Sequence, residues 1–123
     1  MRRGLALVLL GVLGCATAPG APRSRSTIIT YDEVQNLNVP SAYEVVEILR
    51  PQFLRTRGSA SFADPTPIPA VVYLDGLKYG DTPESLKGIE RTAIREIEYL
   101  DSRDATTRYG TGHRGGAILV RTR

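Results

Sequence analysis

One cysteine and one histidine stand in this 123-residue chain, and their scarcity is the first bound on its chemistry. Cys15 has no second cysteine with which to close an intramolecular disulfide. His113 has no second histidine with which to begin a zinc set. Its place in a glycine-rich stretch beside Arg114 predicts an exposed loop residue. Gly110, Gly112 and Gly115 spell the G-x-G-x-x-G fingerprint of dinucleotide sites. That fingerprint needs a strand before it and a helix after it, so that the helix N-terminus meets the pyrophosphate. Here the pattern predicts the reverse order, and no Lys-Ser/Thr pair follows to make a phosphate loop. No serine sits in a G-x-S-x-G elbow, and the carboxylate pairs Asp32/Glu33 and Glu96/Glu98 fit on solvent faces. The expectation is a protein that is not an enzyme and holds no cofactor and no metal.

The chemistry open to Cys15 is alkylation. Met1-Arg2-Arg3 is a short positive segment, and residues 4–13 are apolar and uncharged. That run suits the core of an export signal and falls short of the ~20 residues a spanning helix needs. Val12-Leu13-Gly14-Cys15 then resembles the bacterial lipobox, an aliphatic and two small residues before an obligatory cysteine. The thiol takes a diacylglycerol group, and the lipoprotein peptidase needs small residues beside the bond it cuts. Residues 1–14 therefore read as a lipoprotein signal peptide and Cys15 as the lipidated N-terminus of the mature chain. A processed lipoprotein of this kind exceeds the two membrane signals that stable anchoring requires. Ala16, where an aspartate favours retention in the inner membrane of enteric bacteria, points to the outer membrane, with the domain facing the periplasm. Without Arg2 and Arg3 the 16 basic residues become 14 against 13 acidic, and the net charge falls from +3 to +1. The basic isoelectric point of the whole chain is thus no argument for nucleic acid.

The rest of the chain supplies the elements that position these residues. Residues 16–26 are small and rich in Pro, Gly and Ser, a flexible tether. In residues 27–123, Thr27-Ile28-Ile29 is β-prone, and Thr30 is placed to cap a short helix reaching Leu37. Ser41 and Glu44 form an S-x-x-E capping box for a helix over residues 41–50. Its apolar stripe is Ala42, Val45, Val46 and Leu49. Residues 70–74 are apolar on both faces and read as a central strand. Asp75-Gly76 turns the chain so that residues 77–79 pair back on it. Thr82-Pro83 opens a helical turn closing at Gly88. Residues 94–100 alternate as a strand, with Ile97 and Tyr99 opposite Glu96 and Glu98. Ser102 is placed to cap a helix to Tyr109 that stops at Gly110, and residues 117–122 form a final strand. The predicted fold class is α+β, a small mixed β-sheet with short helices.

In residues 70–123 these elements carry a resemblance. Ala70-Val71-Val72-Tyr73-Leu74-Asp75-Gly76 resembles the segment of the TonB-dependent receptor plug domain in which a hydrophobic strand enters an Asp-Gly turn. Residues 86–100, ending Ile97-Glu98-Tyr99-Leu100, resemble the next plug element. Ala105 to Gly110, then Gly115-Gly116 and the strand closing at Thr122-Arg123, resemble the signature of a Tyr-Gly, a glycine loop and a terminal strand. The resemblance implies a plug-like domain over residues 27–123. Asp75, Gly76, Tyr109, Gly110, Gly115 and Gly116 would be its framework residues, with no ligand role.

The chain stops at Arg123 with no barrel sequence, so the expectation is a stand-alone module. Its partners would be the membrane, through the lipid anchor, and an outer-membrane or periplasmic protein. The alternative is a module that binds a small molecule or nutrient in outer-membrane uptake. Tyr79, Phe53 and Phe62 are the aromatic residues expected at the surface, and the loops 58–69 and 110–116 are the expected contact regions. If Cys15 is the acylation site, Cys15→Ser abolishes incorporation of labelled palmitate and releases the protein from the membrane fraction; continued labelling would refute the assignment.

Overall fold

The computed structural model describes residues 27–56 and 62–123. The signal segment, Cys15, the tether and the first part of the loop 58–69 lie outside the described residues. Five strands and three α-helices are arranged, in chain order, as β1 (Ile28–Ile29), α1 (Tyr31–Gln35), α2 (Ala42–Leu49), β2 (Val71–Leu74), β3 (Leu77–Gly80), β4 (Ile94–Leu100), α3 (Ser102–Tyr109) and β5 (Ala117–Thr122). Short 3-10 turns occupy Pro51–Leu54, Pro83–Gly88 and Arg91–Ala93. The strands form one sheet in the order β1-β4-β5-β2-β3. It is a mixed sheet: β2 and β5 run parallel, while the other three pairings are antiparallel. The fold is α+β, as the sequence pattern implies.

β5 is the central strand, and β2 is interior beside it. The reason lies in β5 itself, where four consecutive residues, Ala117, Ile118, Leu119 and Val120, are buried. Alternate residues point to opposite faces, so both faces need cover. Ile118 and Val120 join Val72, Ile94, Ile97 and Tyr99 in the larger core, against Val34, Ala42, Val45, Val46, Phe53 and Leu86 from the helical layer. Ala117 and Leu119 face the other way, with Val71 and Tyr73, under Ala105 and Tyr109 of α3. The two layers of cover are unequal, and that inequality shapes the site described below.

Local chemistry explains the elements and corrects the expected caps. Thr30 does cap α1: its hydroxyl accepts the Glu33 N–H, while its own N–H donates to the Glu33 carboxylate at 2.8 Å. That backbone bond, aided by Arg50 3.0 Å away, holds the Glu33 carboxyl below its ordinary range. The helix ends at Gln35, two residues short of Leu37. For α2 the sequence predicts a capping box that does not form. The Ser41 hydroxyl donates to the Glu44 carboxylate and makes no bond to the helix backbone. The first free N–H, on Ala42, is satisfied instead by the Ile89 carbonyl at 2.8 Å, through a bridge between Ser41 and Glu90. The cap of α3 is Asp101, one residue before the expected Ser102; its carboxylate accepts the Asp104 N–H at 2.9 Å.

Two irregularities keep the sheet in register. β4 bulges between Ile94 and Glu96, inserting Arg95 as an extra residue. The core therefore receives Ile94, Ile97 and Tyr99, and Arg95 stays exposed. The edge strand β3 is short and carries a second bulge, where Tyr79 is the extra residue opposite Val72 and Tyr73 of β2. It also carries Lys78, ion-paired with Asp81 at 2.5 Å, and these are the devices that blunt an edge against further pairing. The β2–β3 turn has φ +48 at Asp75 and +85 at Gly76, the two-residue hairpin turn that favours glycine at its second place. Since Ile118 is fully buried at the centre of the larger core, Ile118→Ala should cost about 2–5 kcal/mol of unfolding free energy. Chemical denaturation would measure it, and a loss under about 1 kcal/mol would contradict the central placement.

Candidate functional site

A cluster of buried polar and aromatic side chains lies between the sheet and α3. It is built from residues forty positions apart. Tyr73 comes from β2, an interior strand. Tyr109 ends α3, and His113 follows it in the glycine loop. The glycine-rich sequence around His113 predicts an exposed side chain; the structure buries it to 7 % exposure, beside Tyr73 at 8 %. The histidine is buried because the loop turns it inward onto the Tyr73 hydroxyl, which lies 2.8 Å from Nε2.

The other ring nitrogen fixes the direction of these bonds. His113 Nδ1 is 2.8 Å from the Gly110 carbonyl oxygen, which can only accept. Nδ1 therefore carries the proton and donates, and in the neutral ring Nε2 accepts the Tyr73 O–H. The Tyr73 and Tyr109 rings stack at 4.0 Å between centroids, 15° apart, and each lies 5.8 Å from the imidazole. Both nitrogens are thus engaged within the protein, and the ring serves as a structural junction. It ties the carbonyl that ends α3 to the hydroxyl of an interior strand. Chemically this arrangement holds a buried polar group satisfied and aligns three rings.

The residues of the expected framework fall around this junction. The Gly110 N–H closes α3 on the Thr106 carbonyl at 2.9 Å. Gly115 passes so close to the Ile68 and Pro69 backbone that a Cβ would strike their carbonyl oxygens. At Gly116, φ is +84 and a Cβ would lie 2.5 Å from the Leu100 carbonyl oxygen; no larger residue fits either place without backbone movement. The Tyr99 hydroxyl donates to the Gly115 carbonyl at 3.2 Å, and its ring stacks on Phe53 at 5.1 Å. Phe53, expected at the surface, is 2 % exposed because Tyr99 and the larger core enclose it. Tyr79 and Phe62 are exposed, as are Leu77 and Ile48. Asp75 does more than turn the hairpin. Its carboxylate accepts the Thr122 hydroxyl at 2.6 Å and the Thr122 N–H at 2.8 Å, while the Asp75 N–H donates to Val120 at 2.9 Å. The hairpin is pinned to the end of β5.

Among the clefts that border α3, two are lined by arginines. One, about 800 Å³ and open, is lined by Arg103, Arg114 and the hydroxyl side chains of Ser102, Thr106 and Thr107. The other, about 420 Å³, is lined by Arg95, Arg108 and Arg121 with Asp75, Gly76 and Thr122. The three guanidinium groups there do not make an anion site. Arg121 pairs with Glu96, and with Glu98 at 3.1 Å. With Asp75 in the lining, the formal charges cancel. Among the described residues no three His, Cys, Asp or Glu side chains converge as a metal would require, and no helix is long and apolar enough to cross a membrane.

In comparisons with known proteins, the chain matches no family model and no curated protein.

The Thr122 hydroxyl and then its N–H hold the Asp75 carboxyl below the ordinary carboxylate range. A carboxyl depressed in the folded state contributes stability that is present above its unfolded pKa and lost as pH falls through the folded one. Asp75→Asn should therefore melt below the parent at neutral pH, and the two melting curves should converge as the solution is acidified below the carboxylate range. A gap unchanged across that range would show that the ionised form is not what the clamp needs.

Proposed function

We propose that the chain is a non-catalytic, lipid-anchored protein of the bacterial cell envelope. Its folded domain, related in plan to a TonB-dependent receptor plug, serves as an accessory that docks on another outer-membrane or periplasmic protein. The observation that carries the reading is the order of the sequence: a basic start, an apolar export-type run, a lipobox ending at Cys15, a tether, and then the three plug-like segments. The geometry supports the second half of that reading in one respect. The residues of the plug-like segments do framework work. Asp75 clamps Thr122, Tyr109 stacks on Tyr73, and Gly115 and Gly116 thread between backbone carbonyls. None of them is spent on lining a deep cavity.

A docking accessory and a small-molecule binder differ in what they need. The binder needs a concave, largely enclosed site with a few convergent polar groups. The large cleft beside α3 is open to solvent, and the buried polar groups of the Tyr73–His113 junction face one another. That favours a protein partner.

The test is crosslinking of the full-length protein in cells, read by mass spectrometry, beside the Cys15→Ser form. One dominant envelope partner, lost in the unlipidated form, is the expected result. Absence of any partner above background, together with stabilisation of the protein by a siderophore, cobalamin or glycan in a thermal-shift series, would replace docking with ligand capture. At a ligand concentration of 100 Kd that stabilisation is about 2.7 kcal/mol.

A further inference from the structure

The two layers that cover the sheet are not equally attached. On one side α2 buries Ala42, Val45 and Val46, and packs Leu49 and Tyr43 against the same core. On the other, α3 sends a single fully buried side chain, Ala105, into the interface, with Tyr109 half-buried at its end. The remaining positions of α3 are Ser, Arg, Asp and Thr, all exposed. No ion pair among the described residues joins α3 to the sheet. An eight-residue helix is too short to persist by its own propensity, so its place depends on what fastens its end.

That fastening is the junction already described. Tyr109 stacks on Tyr73, and His113 reaches the Tyr73 hydroxyl while holding the Gly110 carbonyl. Around Gly110 and Gly112 a Cβ would meet nothing within 4 Å, whereas Gly115 and Gly116 are wedged against the Ile68, Pro69 and Leu100 carbonyls. The chain is open on the helix side of His113 and braced on the strand side. We infer that residues 101–114 form a hinged flap, latched by the His113–Tyr73 hydrogen bond and the Tyr73–Tyr109 stack. Release of the latch bares the Val71, Tyr73, Ala117 and Leu119 face while the sheet and the larger core stay folded. Segments with few buried apolar contacts open at free energies below that of global unfolding, and the hinge lies between the loose glycines and the wedged pair. The inference rests on this packing alone and is independent of the docking reading.

Amide hydrogen exchange on the full-length protein tests it. In the parent, the amides of α3 and Gly110 should exchange at least about tenfold faster than those of β4 and β5. Tyr73→Phe keeps the ring stack and removes only the hydroxyl. It should speed exchange in α3 about fivefold, the weight of one ordinary hydrogen bond, and leave β4 and β5 unchanged. His113→Leu, which removes both ring nitrogens and so empties the other half of the latch, should repeat the pattern, and either variant should bind more of an apolar fluorescent dye than the parent. Equal protection of α3, β4 and β5 in the parent would overturn the flap, since one cooperative unit has no hinge. So would acceleration of all three elements together in Tyr73→Phe, or local acceleration without added dye binding.

Discussion

A strand that is apolar on both faces cannot sit at an edge or under a single layer, and β5 imposes that constraint on the whole domain. Ile118 and Val120 require one cover, and Ala117 and Leu119 require another. The parallel pairing with β2 and the antiparallel pairing with β4 follow, because only an interior position hides the backbone groups of such a strand. The helical segments that precede β2, and the turns that follow β3, then gather on one side. Only α3, placed between β4 and β5, remains for the other. The thinness of that second layer is a consequence of chain order.

Hydroxyl groups do the fastening where apolar area runs short. Tyr73, Tyr99 and Thr122 each carry a hydroxyl to a residue distant in sequence: His113, Gly115 and Asp75. Two of the three lie in the smaller layer or its connecting loop, and the third closes the hairpin onto β5. Each is worth little in isolation, of the order of 1 kcal/mol net. Their value lies in position, since each stops a glycine loop or a turn from departing from the sheet. The same logic explains why Gly115 and Gly116 admit no side chain: the loop must pass between the Pro69 and Leu100 carbonyls to deliver His113.

This economy bears on function. The polar groups of the Tyr73–His113 junction are satisfied by one another, the arginine cleft is neutralised by neighbouring carboxylates, and the β3 edge is blunted by Lys78 and a bulge. Among the described residues, the large apolar and aromatic side chains left exposed are Tyr31 on α1, Ile48 on α2, Leu77 and Tyr79 on β3, and Phe62 in the loop before β2. A docking role fits a domain whose chemistry is directed inward and whose layers differ in their hold.

The sequence alone determined the elements and the class. Periodicity separated α2 from the strands, the doubly apolar run of residues 70–74 marked β2 as interior, and Asp75-Gly76 fixed the hairpin through backbone torsion, all of them short-range effects, whereas the central place of β5 came from the tertiary pairing. The sequence also placed Cys15 after an apolar run, a matter of order along the chain. Only the tertiary structure decided the caps of α2 and α3 and the depth of Phe53. It alone showed the role of His113. The Ala42 N–H is satisfied by Ile89, and the His113 ring by Tyr73, partners set by packing and invisible in any local window. A histidine among glycines looks exposed because its neighbours are loop-forming. It is buried because a strand forty residues earlier presents a hydroxyl where the loop must close.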